Sequence, residues 1–118
     1  TYVDDIAEGT VRVLDRVASP DSNFKTDSPN PGSSYAPYRV YNIGNHQPVE
    51  LITFIKIIED ALGRTAKKNL LPMQPGDVVA TYADVEDLKR DIHFEPKTEL
   101  TIGIRKWVDW YRGYINQS

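Results

Sequence analysis

The sequence predicts an α/β chain in which helices pack on short strands. Three observations carry that reading. Apolar residues recur at helical spacing in four separated stretches. Between the first two lies Tyr38-Arg39-Val40-Tyr41-Asn42-Ile43, which alternates in the manner of a strand and stops at Gly44-Asn45. The connections are rich in proline, glycine, serine and asparagine, as an ordered fold with tight turns requires.

In chain order, Ile6, Val11, Val13, Leu14 and Val17 predict a first helix over residues 4–17, with Asp4 or Asp5 capping its free amides. Residues 19–37 read as a flexible loop insertion, long for a compact domain and almost devoid of apolar side chains. The strand over 38–43 follows. An unpaired apolar edge there is a template for self-association. Val49, Leu51, Ile52, Ile55, Ile58 and Leu62 form the stripe of a second helix over 48–62, with Pro48 in its first turn and Gly63 as its C-cap. Residues 67–71 and 82–83 read as short extended pieces. Asp84 is placed to cap a helix reaching Ile92, with Val85, Leu88 and Ile92 inward. Thr98 is placed to cap the last helix, in which Leu100, Ile104, Trp107, Val108 and Tyr111 recur and the aromatic residues read as core and lid packing.

Composition narrows the function. One domain of 118 residues with net charge −3 has no basic face for phosphate chains, which argues against nucleic acid. The absence of cysteine excludes disulfides and thiolate metal sites and fits a cytoplasmic setting. No apolar run is long enough for a membrane span and no signal-peptide pattern is present. His46 and His93 lie far apart and lack ligand spacing, so no metal site is expected.

The stretch Leu71-Pro72-Met73-Gln74-Pro75-Gly76-Asp77-Val78, followed by Thr81-Tyr82-Ala83-Asp84, is the most distinctive. Two prolines exclude a helix interior and a central strand, and Gly76 relieves the bend after Pro75. Asp77 is left near the tip with a carboxylate free to accept hydrogen bonds, so the loop reads as a ligand clamp.

This stretch, with Thr1-Tyr2-Val3-Asp4-Asp5-Ile6, Tyr41-Asn42-Ile43-Gly44-Asn45 and the run from Phe94-Glu95-Pro96-Lys97-Thr98 to Trp110-Tyr111, resembles the C-terminal substrate lobe of the extended short-chain dehydrogenase/reductases. The nearest branch is the bacterial UDP-glucuronate 4-epimerases. The resemblance implies a lobe of a Rossmann-type enzyme, residues 1–118, whose dinucleotide-binding half is absent. No Gly-x-Gly-x-x-Gly and no Tyr-x-x-x-Lys occur here. By that resemblance the parent enzyme uses NAD, this part binds no cofactor and holds no catalytic residue, and alone it is inactive. Its partners are the UDP-sugar and the missing Rossmann half.

Four residues are the candidate substrate contacts. The resemblance puts Asp77 on the nucleotide ribose. Gln74 stands where many relatives carry an arginine on the diphosphate; it can donate a hydrogen bond but offers no charge. Arg39 is a candidate for an anionic substrate, and Tyr2 falls in the block near bound substrate. Two further readings stand beside the epimerase: a nucleotide-sugar dehydratase or decarboxylase built on the same lobe, and an autonomous interaction module.

Overall fold

The computed structural model describes residues 1–78 and 80–116. Four helices follow one another: α1 (Val3–Leu14), α2 (Leu51–Leu62), α3 (Glu86–Ile92) and α4 (Leu100–Ile115). α2 packs along α4, and Arg112 of α4 donates from Nη2 to the carbonyls of Ala61 (3.3 Å) and Leu62 (3.0 Å) at the end of α2. Those carbonyls have no partner within their own helix, so the guanidinium both caps and docks. Gly63 closes α2 in the left-handed conformation, φ 68°, as its position after the apolar stripe requires.

The α/β expectation is overturned. Among the described residues there is no strand, only an isolated antiparallel bridge between Ser33 and Arg39. Alternation alone does not make a strand. A lone extended segment needs neighbours to satisfy its backbone, and among the described residues 38–43 have only the bridge to the 32–33 turn, with the Val40 amide donating to the Gly32 carbonyl at 3.0 Å. Segments 67–71 and 82–83 are likewise irregular. The edge on which self-association was expected is therefore not present as a strand.

The helices themselves stand where apolar spacing puts them, with shifted ends. α1 stops at Leu14, three residues short of Val17. Tyr2 occupies its N-cap position, and Asp4 and Asp5 sit in the first turn. Pro48 lies ahead of α2, whose N-cap is Glu50. Asp84 does not hold the N-cap position of α3, which falls to Val85 without a side-chain bond; one residue earlier, its Oδ1 accepts from the Glu86 amide at 3.1 Å. Thr98 does not cap α4. Its amide and hydroxyl both donate to Asp5, at 2.9 and 3.0 Å, and Glu99 takes the N-cap position without a side-chain bond. A carboxylate that satisfies two donors at once outcompetes a cap worth about 1 kcal/mol.

The core is small. Among the described residues Val85, Leu88 and Val108, with Pro96, are the buried apolar side chains, the first three as α3 and α4 spacing predicts, while Trp107 (43% exposed), Trp110 (60%) and Tyr111 (38%) are not core. They stack instead along α4, Trp107 on Tyr111 and Trp110 on Tyr114, each pair with centroids 5.4 Å apart. Gly9 allows α1 its close approach: a Cβ there would lie 2.2 Å from Ile43 Cδ1 and 2.9 Å from Phe94 Cε1. The 19–37 loop is tied to itself. Ser33 Oγ donates to Asp21 Oδ2 at 2.7 Å, and Phe24 meets Tyr35 edge-on at 5.9 Å. The Ser33 hydroxyl and the Asn23 amide hold the Asp21 carboxyl below its ordinary pKa.

The total accessible surface, 9611 Å², exceeds the roughly 6,500 Å² of a compact monomer of this mass. The radius of gyration, 19.0 Å, exceeds the roughly 13 Å of a compact domain of this length. No helix among the described residues is long and apolar enough to cross a membrane.

Candidate functional site

A cleft of about 780 Å³ opens where the start of α1 meets the first half of α4. Its walls are Tyr2, the 44–49 connection, Thr81 to Ala83, Phe54 from α2 and Trp107 from α4. Each wall is placed by a traceable contact. Gly103 lets the Tyr2 ring lie against the α4 backbone, since a Cβ at 103 would stand 3.2 Å from Tyr2 Cδ2. Lys106 Nζ sits 4.9 Å from the centre of that ring and 3.7 Å from Asp4 Oδ2. The Asp5–Thr98 bonds fix α1 to the entry of α4 just below. Gly44 packs where a side chain would strike Ala83 Cβ at 2.8 Å. Thr1 Oγ1 accepts from the Asn45 amide at 2.8 Å, and Asn45 Oδ1 accepts from the Gln47 amide at 2.8 Å, a local side-chain-to-backbone turn.

Chemically the cleft is aromatic and neutral-polar. Tyr2, Tyr82, Phe54 and Trp107 offer faces for a flat ring; Thr81, Asn45 and Gln47 offer hydrogen bonds; Glu99 is its acidic side chain. No lysine or arginine is among the lining residues. Such a site suits the uncharged part of a ligand and not a diphosphate.

Of the four residues singled out from sequence, Tyr2 lines this cleft. Asp77 does not. It is exposed at the tip of a turn closed by its own amide donating to the Gln74 carbonyl at 3.1 Å, with Gly76 at φ 95°, and Gln74 is exposed beside it. Neither is among the cleft-lining residues, whose nearest members in sequence are Thr81 to Ala83. Arg39 lies elsewhere, on the rim of a second concavity of about 250 Å³ next to Arg16 and Asp21. Its Nη2 pairs with Asp87 Oδ2 (3.0 Å) and Asp91 Oδ2 (3.1 Å), and its guanidinium lies 5.5 Å from the Tyr41 ring centre. Tyr41 donates to the same Asp91 oxygen at 3.0 Å.

Burial opposes the charge of Asp91, but the Tyr41 hydroxyl and the guanidiniums of Arg90 and Arg39 outweigh it and hold its pKa below the ordinary value. Burial raises the Tyr41 pKa, as does its bond to Asp91. Burial works against the Arg39 charge, and Tyr41, Asp87 and Asp91 more than offset it. Arg39 is thus held by two carboxylates of α3.

Sequence reasoning passed over Thr81, Tyr82 and Trp107 as lining residues. The available signal was Trp107 on the margin of its helical stripe. No group of His, Cys, Asp and Glu among the described residues could hold a metal ion; His93 ends α3 in the left-handed conformation at φ 53°. None of the four helices opens on a glycine turn of the kind that cradles a pyrophosphate: Tyr2, Glu50, Val85 and Glu99 stand at the helix starts.

No protein-family profile matches the chain. Individual proteins match it strongly. It is 54% identical over 117 residues to protein CapI of Staphylococcus aureus, covering 99% of this chain and 35% of CapI. It is 39% identical over 112 residues to a probable UDP-glucuronate 4-epimerase of Rhizobium meliloti, covering 94% of this chain and 33% of that protein. It is 41% identical over 115 residues to UDP-glucuronate 4-epimerase 6 of Arabidopsis thaliana, covering 97% of this chain and 24% of that protein. The chain is therefore homologous to part of a nucleotide-sugar epimerase. More narrowly, its homologues include UDP-glucuronate 4-epimerases and CapI, and it spans about a third or less of the length of these curated relatives.

Proposed function

We propose that this chain is the UDP-sugar-holding part of a NAD-dependent 4-epimerase that interconverts UDP-glucuronate and UDP-galacturonate. The observation that carries the reading is identity of 39% and 41%, over nearly the whole chain, to proteins named as UDP-glucuronate 4-epimerases. The part of those relatives beyond this chain is proposed to hold the NAD and the groups that move proton and hydride. The role of this chain is remote binding, which fixes the sugar for chemistry performed elsewhere.

Within that role, the aromatic cleft at Tyr2 takes the uncharged end of the ligand. Asp77 accepts from both vicinal hydroxyls of the ribose, with Gln74 as a neutral donor beside it. Bonds to a charged acceptor contribute about 1.5–3 kcal/mol. In a parent enzyme of the relatives' length, Asp77→Asn is then expected to raise KM for the UDP-sugar by at least about tenfold with a smaller change in kcat.

The primary test incubates that parent enzyme with NAD and UDP-glucuronate and follows the sugar by proton NMR. Interconversion with UDP-galacturonate is the expected result. A dehydrated or decarboxylated sugar would move the assignment to a sister reaction. Epimerisation by the 118-residue chain alone would overturn the division of labour.

A further inference from the structure

The cleft is mostly neutral inside, yet its charge is not symmetric along α4. Glu99, at the N-cap position of that helix, is its acidic lining residue. Lys106 stands seven residues further on, close to two helical turns and about 10 Å along the axis, so it returns to the same side of α4. Gly103 and Trp107, which flank it on that side, both line the cleft. Lys106 is not itself a lining residue. Its ammonium lies over the ring of Tyr2, 4.9 Å from the centre, and that ring is a wall of the cleft. What holds the ammonium there is weak: Asp4 Oδ2 is 3.7 Å away, and the two side chains are 54% and 67% exposed. An ion pair so open to water is readily exchanged for another. The other cations of α4 are placed differently. Arg112 is spent on the carbonyls of Ala61 and Leu62, and Arg105 is turned about 100° further round the helix.

From this, and resting on the function proposed above, we infer that Lys106 is a specificity-determining residue, which receives the anionic part of the ligand at the edge of the cleft and fixes which way round the ligand lies. The uncharged end enters among Tyr2, Tyr82 and Trp107. The charged end is repelled by the carboxylate of Glu99 and drawn toward the ammonium at the other end of the same helix face. Lys106 leaves Asp4 to meet it, an exchange that a compact charge on a flexible four-carbon stem makes easily. Asp4 holds the cation when the cleft is empty and competes with the ligand for it. A cleft lined without lysine or arginine thereby still selects an anionic ligand over a neutral one of the same shape.

Isothermal titration calorimetry on the 118-residue chain tests this by comparing uridine, which carries no phosphate, with UDP. UDP should bind more tightly than uridine, and added salt should narrow the gap. Lys106→Met should weaken UDP by at least about fivefold and leave uridine within about twofold, because the lost contact is to charge alone. Lys106→Arg keeps the cation and should recover most of the UDP affinity. Asp4→Asn removes the competitor and should tighten UDP by about twofold without altering uridine. All three positions of contact are exposed, so circular dichroism should show the variants folded as the native chain is. Equal loss of uridine and UDP in Lys106→Met would mean that the lysine only steadies the Tyr2 ring, and overturns the inference. So does UDP binding that Lys106→Met leaves unchanged, or binding of neither ligand by the native chain. The proton-NMR assay of the parent enzyme is a separate readout. A lysine-dependent preference for UDP alongside a parent that does not epimerise counts against the epimerase reading alone. Epimerisation by the parent without that preference counts against this inference alone.

Discussion

Segments 38–43 and 70–78 are both irregular and both rich in apolar side chains, yet the molecule treats them oppositely. In the first, Arg39 reaches Asp87 and Asp91 on α3, Tyr41 bonds Asp91, and Ile43 meets Gly9 of α1. In the second, Leu70, Leu71, Met73 and Val78 are 62–74% exposed, and the turn is closed by the local Asp77–Gln74 bond. Hydrophobic content is therefore not what anchors a connection in this chain. Partners distant in sequence are, and α3 supplies them to one segment only.

The sharpest way to break that contrast is to remove what α3 itself stands on. Leu88→Ala empties a fully buried position and is expected to cost about 2–5 kcal/mol, which a small core cannot absorb. Urea titration followed by circular dichroism reads this, and a shift below about 1 kcal/mol would show that the core lies elsewhere.

Next is Arg39→Ala, which leaves Asp91, 15% exposed, with Arg90 as its remaining cation, at an expected cost of about 1–3 kcal/mol. The pH dependence follows. The folded Asp91 pKa lies below its unfolded value of about 4, so its contribution is complete above pH 4 and is lost as pH falls through the lower folded value. Stability of the native chain should drop along that acid limb, and Arg39→Ala should flatten the drop.

A smaller effect is expected at the root of segment 64–71, where Glu59 accepts from the Ala66 amide at 2.7 Å and pairs with Lys68. Glu59→Gln should speed hydrogen exchange at Ala66 severalfold while leaving α2 intact. Smallest is Gly76→Ala. A side chain at φ 95° is strained, but nothing lies within 4 Å of the new Cβ, so the turn can yield. Global stability should stay within about 0.5 kcal/mol; a larger loss would mean the turn is packed after all.

The same contrast explains what was legible in the sequence. The helices were, because i, i+3 and i+4 spacing is a local signal: Leu88 and Val108 are buried as that spacing requires, and Gly63 caps α2. The strands were not, because a strand is a property of a pair and alternation in residues 38–43 describes only one member. Thr98 was misassigned as a cap because nothing near it in sequence announces Asp5. The candidate site divides likewise. Tyr2 reached the cleft through Gly103, whereas Arg39 proved to be committed to α3, a pairing invisible without the third dimension.

The Asp5–Thr98 clasp also sets an order of events. It joins positions 93 apart in sequence, so loop-closure entropy defers it until the intervening helices have collapsed. A bond made that late is absent from the folding barrier and present in the unfolding one. Asp5→Ala should thus leave the refolding rate nearly untouched and accelerate unfolding, so the clasp sets how long the folded chain persists.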